Sequence, residues 1–379
     1  MRVEQFRWSE EGGWQPEFPG RLGNAAQLVL LFGDRSLLKQ RRGFDELAGA
    51  YPNARLLGCS TAGEILGARV SDDSLVATAI ALEEAHAASG CVRLSDVSNS
   101  FEAGELLAKS LSPDGLVHVL VLSDGIGVNG SDLVRGLTSR LPSQVTATGG
   151  LSGDGPKFQE TLVVYDGIPE RDSVAVLGFY GEGLSVGYAS LGGWDPFGPD
   201  RLITKSKGNV LYELDGRSAL ELYKQYLGEH AEGLPATGLL FPLSVRSTND
   251  GTGLVRTILS VNEEEQSMTF AGDVPEGSYA RLMRANFDHL IDGALGAART
   301  SFEATGSNSP DLAVLISCVG RKLVLKQRVE EEVEAVRNVL GPNAALTGFY
   351  SYGEISPFAP GANCELHNQT MTITTFREC

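Results

Sequence analysis

The chain has 379 residues, of which 42% are apolar and 21% charged, enough to bury two or three domain cores and too apolar to remain disordered. Lys and Arg total 31 against 48 Asp and Glu, a net charge of -17 that repels phosphate backbones and anionic lipid, so neither nucleic acid nor membrane is an expected partner. The opening MRVEQFRWSEEGGW lacks an apolar leader core, and no stretch approaches the roughly 18 apolar residues of a membrane span, so a cytosolic protein is expected. Five cysteines, Cys59, Cys91, Cys318, Cys364 and Cys379, form no C-x-x-C pair, and their odd number suits a reducing compartment without disulfides.

An internal repeat organises the chain. PNARLLGCSTAGEI at 52–65 aligns without gaps to PNAALTGFYSYGEI at 342–355, with eight of fourteen positions identical. PSQVTATGGLSGDG at 142–155 keeps Pro142, Gly153 and Asp154 and reads as a third copy. Upstream, Gly33 opens GDRSLLKQR and Gly320 opens GRKLVLKQR, which extends the match to a whole supersecondary unit.

In chain order, the first copy starts with the apolar run LVLLF at 28–32, followed by helical spacing of Phe44, Leu47, Ala48 and Tyr51. Pro52 stops that helix, because it has no N–H to donate and disfavours helix in the residue before it. A second strand then runs into the turn containing Cys59, Ser60, Thr61, Gly63 and Glu64, and LVATAIAL at 75–82 reads as a half-exposed antiparallel partner. The second copy repeats this with VHVLVL at 117–122, the helix of Leu133, Leu137 and Leu141, the turn at Gly153 and Asp154, and TLVVYDG at 161–167 as its antiparallel strand.

Next come VAVLGFY at 174–180, LGGWDPFGPD at 191–200 as a turn cluster and candidate hinge, a hairpin around GNVLYELDG, and the helix of Leu220, Tyr223 and Leu227. FPLSVR, LVRTILSVN and MTFAGD read as strands, and a long amphipathic helix carries Leu282, Met283, Phe287, Leu290 and Ala294. The third copy closes the chain with LAVLIS at 312–317, the helix of Val329, Val333, Val336 and Leu340, the turn with Tyr352, Gly353 and Glu354, and TMTITTF at 370–376. The expected fold is α/β, with mixed sheets built from repeated strand-helix-strand units in two domains, 1–220 and 221–379, and a two-fold internal symmetry.

Few motifs carry chemistry. Gly125, Gly127 and Gly130 have dinucleotide-fingerprint spacing without the ribose-binding acid, so a turn with Asn129 near a helix start is the better reading. No turn makes G-x-S-x-G, which leaves Ser60, Ser152 and Ser351 off any nucleophile elbow and argues against an enzyme. Glu64, Asp154 and Glu354 each follow a turn glycine, either as ligand contacts or as internal caps. His118 sits in an apolar strand as a core residue. His367, three residues after Cys364, is either a hydrogen-bonded strand-entry residue or an axial donor to haem iron. Arg321, at the end of SCVGR, suits a ligand carboxylate.

LGCSTAGEI, TGGLSGDGPKF, VVYDG, GNVLYELDG, SCVGR, GFYSYGEISPF and CELHNQTMTIT together resemble the FIST proteins over about 25–376. The resemblance implies a bacterial or archaeal cytosolic sensor of small ligands such as amino acids or other carboxylate metabolites. It also implies a separate partner, a histidine kinase, a cyclic-di-nucleotide enzyme or a chemotaxis protein. A subset of the family, NosP, binds haem to sense nitric oxide, which for this chain would make His367 the axial ligand. Taking the family's turns together with Arg321 of SCVGR and Asn129 near its helix start, the expected ligand site comprises Cys59, Ser60, Thr61, Gly63, Glu64, Asn129, Gly153, Asp154, Arg321, Tyr352, Gly353 and Glu354.

Overall fold

A computed structural model describes every residue except Glu17, Pro19, residues 247–252 and Cys379. Each apolar run forms a central strand: Leu28–Gly33, Leu116–Ser123 and Leu312–Cys318. Each is followed by a helix that ends shortly before its proline, at Ala50, Thr138 and Leu340. Each then pairs in parallel with the strand after that helix, Arg55–Ser60, Thr146–Leu151 or Ala345–Ser351. An antiparallel strand flanks the other side of each central strand: Leu75–Ala81, Ser173–Tyr180 and Met371–Glu378.

Two expectations change here. In the second copy, the antiparallel strand is Ser173–Tyr180, while Val163–Tyr165 pairs elsewhere. The strands Leu75–Ala81 and Met371–Phe376 are buried throughout rather than half-exposed, because their Ala and Thr side chains are small enough to pack on both faces.

The units are interlocked rather than side by side. After each turn the chain leaves its own sheet and adds a hairpin to a neighbour's. Glu64–Leu66 of the first unit pairs with Ala345–Ser351 of the third, Gly353–Pro357 of the third with Thr146–Leu151 of the second, and Val163–Tyr165 of the second with Arg55–Ser60 of the first. The registers agree, with Gly348 opposite Ile65, Gly149 opposite Ile355 and Gly58 opposite Val164. The exchange closes in a ring of three, so the symmetry relates all three copies rather than the outer two alone. Strands from both sides of residue 220 share three of the four sheets.

This register corrects the repeat alignment. A side chain at Gly58, Gly149 or Gly348 would strike the backbone oxygen of Leu31, Val121 or Leu315 at 1.7, 2.1 or 1.8 Å, so these glycines are the equivalent positions. The second copy therefore has one extra residue after its proline. The counterpart of Glu64 and Glu354 in that copy is Val163, not Asp154. The third copy also gains residues: Leu31 and Leu315 are equivalent, but Gly33 lies in a strand opposite Ser60 whereas Gly320 lies in the helix Val319–Leu325.

Residues 194–285 form a lobe inserted between the second and third units. Its two chain crossings lie side by side, with Trp194 paired to Ala285. The segment expected to be a turn cluster and hinge instead runs as the long strand Trp194–Lys207, whose register slips between Phe197 and Arg201 and so absorbs the glycines and prolines as an irregularity. Leu282 and Met283 belong to the strand Tyr279–Ala285, and the amphipathic helix starts after them at Phe287. The other lobe elements match expectation: a hairpin at Gly208–Asn209, the helix Ala219–Leu227 and the strands Leu243–Arg246 and Ser267–Phe270.

Candidate functional site

The three turns meet in the interior. Thr61 Oγ1 donates to Glu64 at 2.6 Å and accepts from the Gly63 N–H at 3.2 Å, while Ser74 Oγ donates to the other oxygen of Glu64 at 2.7 Å. The related Glu354 accepts from Ser351 Oγ at 2.5 Å and from Thr370 N and Oγ1 at 3.1 and 2.9 Å. Both acids are fully buried, and loss of hydration pushes each carboxyl up to about 8 despite these donors. Of the two readings offered for these acids, the geometry is that of internal caps.

The other turn residues are engaged in the same way. Ser60 Oγ accepts from Leu162 N at 2.8 Å, and the Cys59 thiol is buried, which raises its pKa. Gly63, at φ +136°, lies where a side chain would come within 2.3 Å of Lys322 Nζ; that ammonium bonds to Ala62 O at 2.8 Å and pairs with Asp72. Gly153 donates to Ser60 O at 2.9 Å. Asp154 accepts from the Tyr352 hydroxyl, from Arg35 at 3.2 Å and from Gln159 and Glu160 N–H, while Tyr352 stacks on Phe158 at 4.2 Å.

Arg321 meets a carboxylate, but an internal one. Its fully buried guanidinium binds Glu332 at 2.7 and 3.0 Å and two backbone oxygens, Gly192 O and Leu290 O, at 2.7 Å each. Glu332 also receives Tyr350 OH at 2.7 Å and Ser317 Oγ at 3.1 Å.

Open space lies elsewhere. A cavity of about 890 Å³ separates the lobe from the seam between the helix Gly130–Thr138 and the strand Cys364–His367. Asn129 caps that helix, accepting from Ser131 and Asp132 N–H and donating to Asp273 at 3.0 Å, and Arg135 pairs with Asp273 at 2.8 Å. Across from them stands Arg256, 5% exposed. Its Nε donates to Asp273 O at 3.0 Å and its Nη1 to Leu366 O at 2.8 Å, but Nη2 makes no hydrogen bond to a described residue. No ion pair holds Arg256 among the described residues, and burial lowers its pKa to about 10. Glu365 and Asp273 act on it across space without a direct ion pair, and a buried guanidinium held only in this way carries a desolvation penalty that an anion in direct contact would offset.

Of the residues expected to bind ligand, Asn129 and Glu354 adjoin this cavity, through Asp273 and Thr370, and His367 lines it. The others lie in the turns or the core. The cation that sequence reasoning missed, Arg256, had a visible signal: it is a lone charge in the otherwise uncharged run LVRTILSV.

Haem would require an apolar slot and an axial donor. His367 is buried, which pushes its pKa down to about 4 and keeps it neutral, but its Nε2 is bonded to Ser356 O at 2.9 Å. Arg256, Asp273 and Glu365 share the cavity wall. With the outer ring nitrogen occupied and charges in the wall, these residues do not fit an iron porphyrin. Protein produced with added haem is expected to show no Soret band in its absorption spectrum; a band lost in His367→Ala would reverse this conclusion.

Among the described residues, no three His, Cys, Asp or Glu side chains are grouped to hold a metal ion, and no helix is long and apolar enough to cross a membrane. Cys59, Cys91, Cys318 and Cys364 are free thiols; Cys379 lies outside the described residues.

The chain is an α/β scaffold of repeated units with an inserted lobe over a cavity. The chain belongs to the FIST family: the FIST N domain matches residues 27–217 and the FIST C domain residues 219–357. An uncharacterized protein of Methanocaldococcus jannaschii is 23% identical over 344 residues, spanning 84% of this chain and 64% of its own length, so the chain covers less than two thirds of that relative. Among solved structures, a chorismatase aligns over 98% of both chains at 9% identity and a TM-score of 0.34. A cyanuric acid hydrolase from A. caulinodans aligns over 99% of both at 9% identity and a TM-score of 0.37. Likenesses this low carry no argument about activity.

Proposed function

We propose that this chain is a non-enzymatic sensor that holds a small carboxylate metabolite, such as an amino acid, in the cavity beneath the lobe and reports it to a separate histidine kinase or cyclic-di-nucleotide enzyme. The observation that carries the reading is Arg256, a buried cation at the cavity wall with Nη2 unbonded and no ion pair among the described residues. A guanidinium of this kind recognises a carboxylate by charge-assisted hydrogen bonds. Against turnover, Ser60 accepts a backbone N–H and Ser351 donates to a buried carboxyl, so neither hydroxyl is set to attack a substrate in the cavity. Because the cavity joins the lobe to the second and third units, a ligand bridging them would bias their relative position, which a partner can read.

A ligand that binds only the folded chain raises its melting temperature. Screening amino acids and small carboxylic acids by thermal shift is expected to reveal stabilising compounds, and Arg256→Met is expected to abolish their shifts while the unliganded chain still melts cooperatively. A library without shifts, or shifts that persist in the variant, would overturn the reading.

A further inference from the structure

The cavity is larger than an aliphatic amino acid needs, at about 890 Å³ within the range of roughly 300–1,000 Å³ that holds drug-sized ligands. Its wall also has an apolar side. Phe358, Trp194, Met283 and Leu366 line it, and Phe358 is 44% exposed, so its ring face is open to a ligand. The Phe358 ring lies 6.4 Å from the His367 ring, which burial keeps uncharged, so the pair offers aromatic surface rather than a second cation. Arg256 is tied to the same strand by its bond to Leu366 O, next to His367 in sequence. The cation and the aromatic pair are thus fixed to one short segment.

We infer that the ligand is an aromatic carboxylate, with its planar ring against Phe358 and His367 and its anionic arm on Arg256. This inference rests on the carboxylate reading above and adds the ring. A ring seated there removes the exposed face of Phe358 from water and gains offset or edge-to-face contact with two aromatic neighbours. The carboxylate supplies a direct ion pair, where Glu365 and Asp273 reach Arg256 only across space. Trp194, whose Nε1 is fixed by Gln369 O at 3.0 Å, stands in the same wall and reports occupancy through its emission.

The test is titration of the full chain with two probes, indole-3-acetate and succinate, followed by calorimetry, with benzoate followed by Trp emission as a further aromatic acid. Indole-3-acetate is expected to bind at least tenfold more tightly than succinate. Phe358→Ala, at a half-exposed position, is expected to erase that difference, with its cooperative melt checked alongside. Arg256→Met is expected to remove binding of both. If the aromatic acids bind no more tightly than succinate, or if Phe358→Ala leaves the ratio unchanged, the aromatic assignment is wrong and the carboxylate reading stands. If no carboxylate binds the wild-type chain, both are wrong.

Discussion

Arg321→Met is expected to destabilise the chain by about 3–5 kcal/mol, the loss typical when one partner of a buried ion pair is removed and the other stays charged. Arg321 and Glu332 are both without solvent exposure, and the guanidinium also satisfies Gly192 O and Leu290 O. Its removal leaves three acceptors in the core with fewer donors. Glu332 would keep only Tyr350 OH and Ser317 Oγ. The double variant Arg321→Met with Glu332→Gln removes the stranded charge and should recover more than half of the loss. Urea denaturation of the three proteins, compared at constant slope, measures both quantities. A single variant within about 1 kcal/mol of wild type, the range of an exposed ion pair, would contradict the burial argument.

The second large effect concerns pH. Burial raises the carboxyls of Glu64 and Glu354 from 4.5 to about 8, so the folded state binds protons more tightly than the unfolded one. Their contribution is fully favourable below pH 4.5 and is lost as pH rises towards 8, on the order of a few kcal/mol for each group. Other groups act with the opposite sign. His118 and His367, lowered to about 3 and about 4, and Glu378, lowered to about 2, weaken the fold as pH falls. The difference between wild type and variant isolates the glutamates. Glu64→Gln and Glu354→Gln are expected to be more stable than wild type at pH 8.5, with the advantage shrinking steadily to pH 5. Melting curves across that range check the slope, and parallel profiles for wild type and both variants would show that neither acid is held neutral.

The periodic elements were legible because they are local. The apolar runs at 28–32, 117–122 and 312–317 suited buried strands by their length and polar flanks, and the prolines at 52, 142 and 342 marked helix ends through missing donors. The exchange of hairpins was not legible, because pairing Gly348 with Ile65 joins residues about three quarters of the chain apart, and no short-range signal encodes it. Asp154 was misplaced for a related reason. Besides the extra residue before Gly149, the second copy runs 14 residues from Gly149 to Val163 where the first runs six from Gly58 to Glu64, so ungapped spacing lands on Asp154 instead. The cavity escaped because its wall is assembled from segments around 131, 256, 273 and 366, each unremarkable alone.

The ring of exchanged hairpins also sets the order in which the chain can be assembled during synthesis. The first sheet has all its strands once residue 170 has emerged. The second must wait for Gly353–His367, and the hairpin Glu64–Ser71, made early, has no strand to pair with until Ala345–Ser351 appears. For most of translation the nascent protein therefore carries an unpaired hairpin and an unprotected sheet edge, both templates for pairing with other chains. Closing contacts of such long sequence separation makes folding slow. A gene cut at the junction of the two family segments would encode halves that each lack strands only the other can supply, and co-expression, rather than separate purification and mixing, is the route by which they would find each other before aggregating.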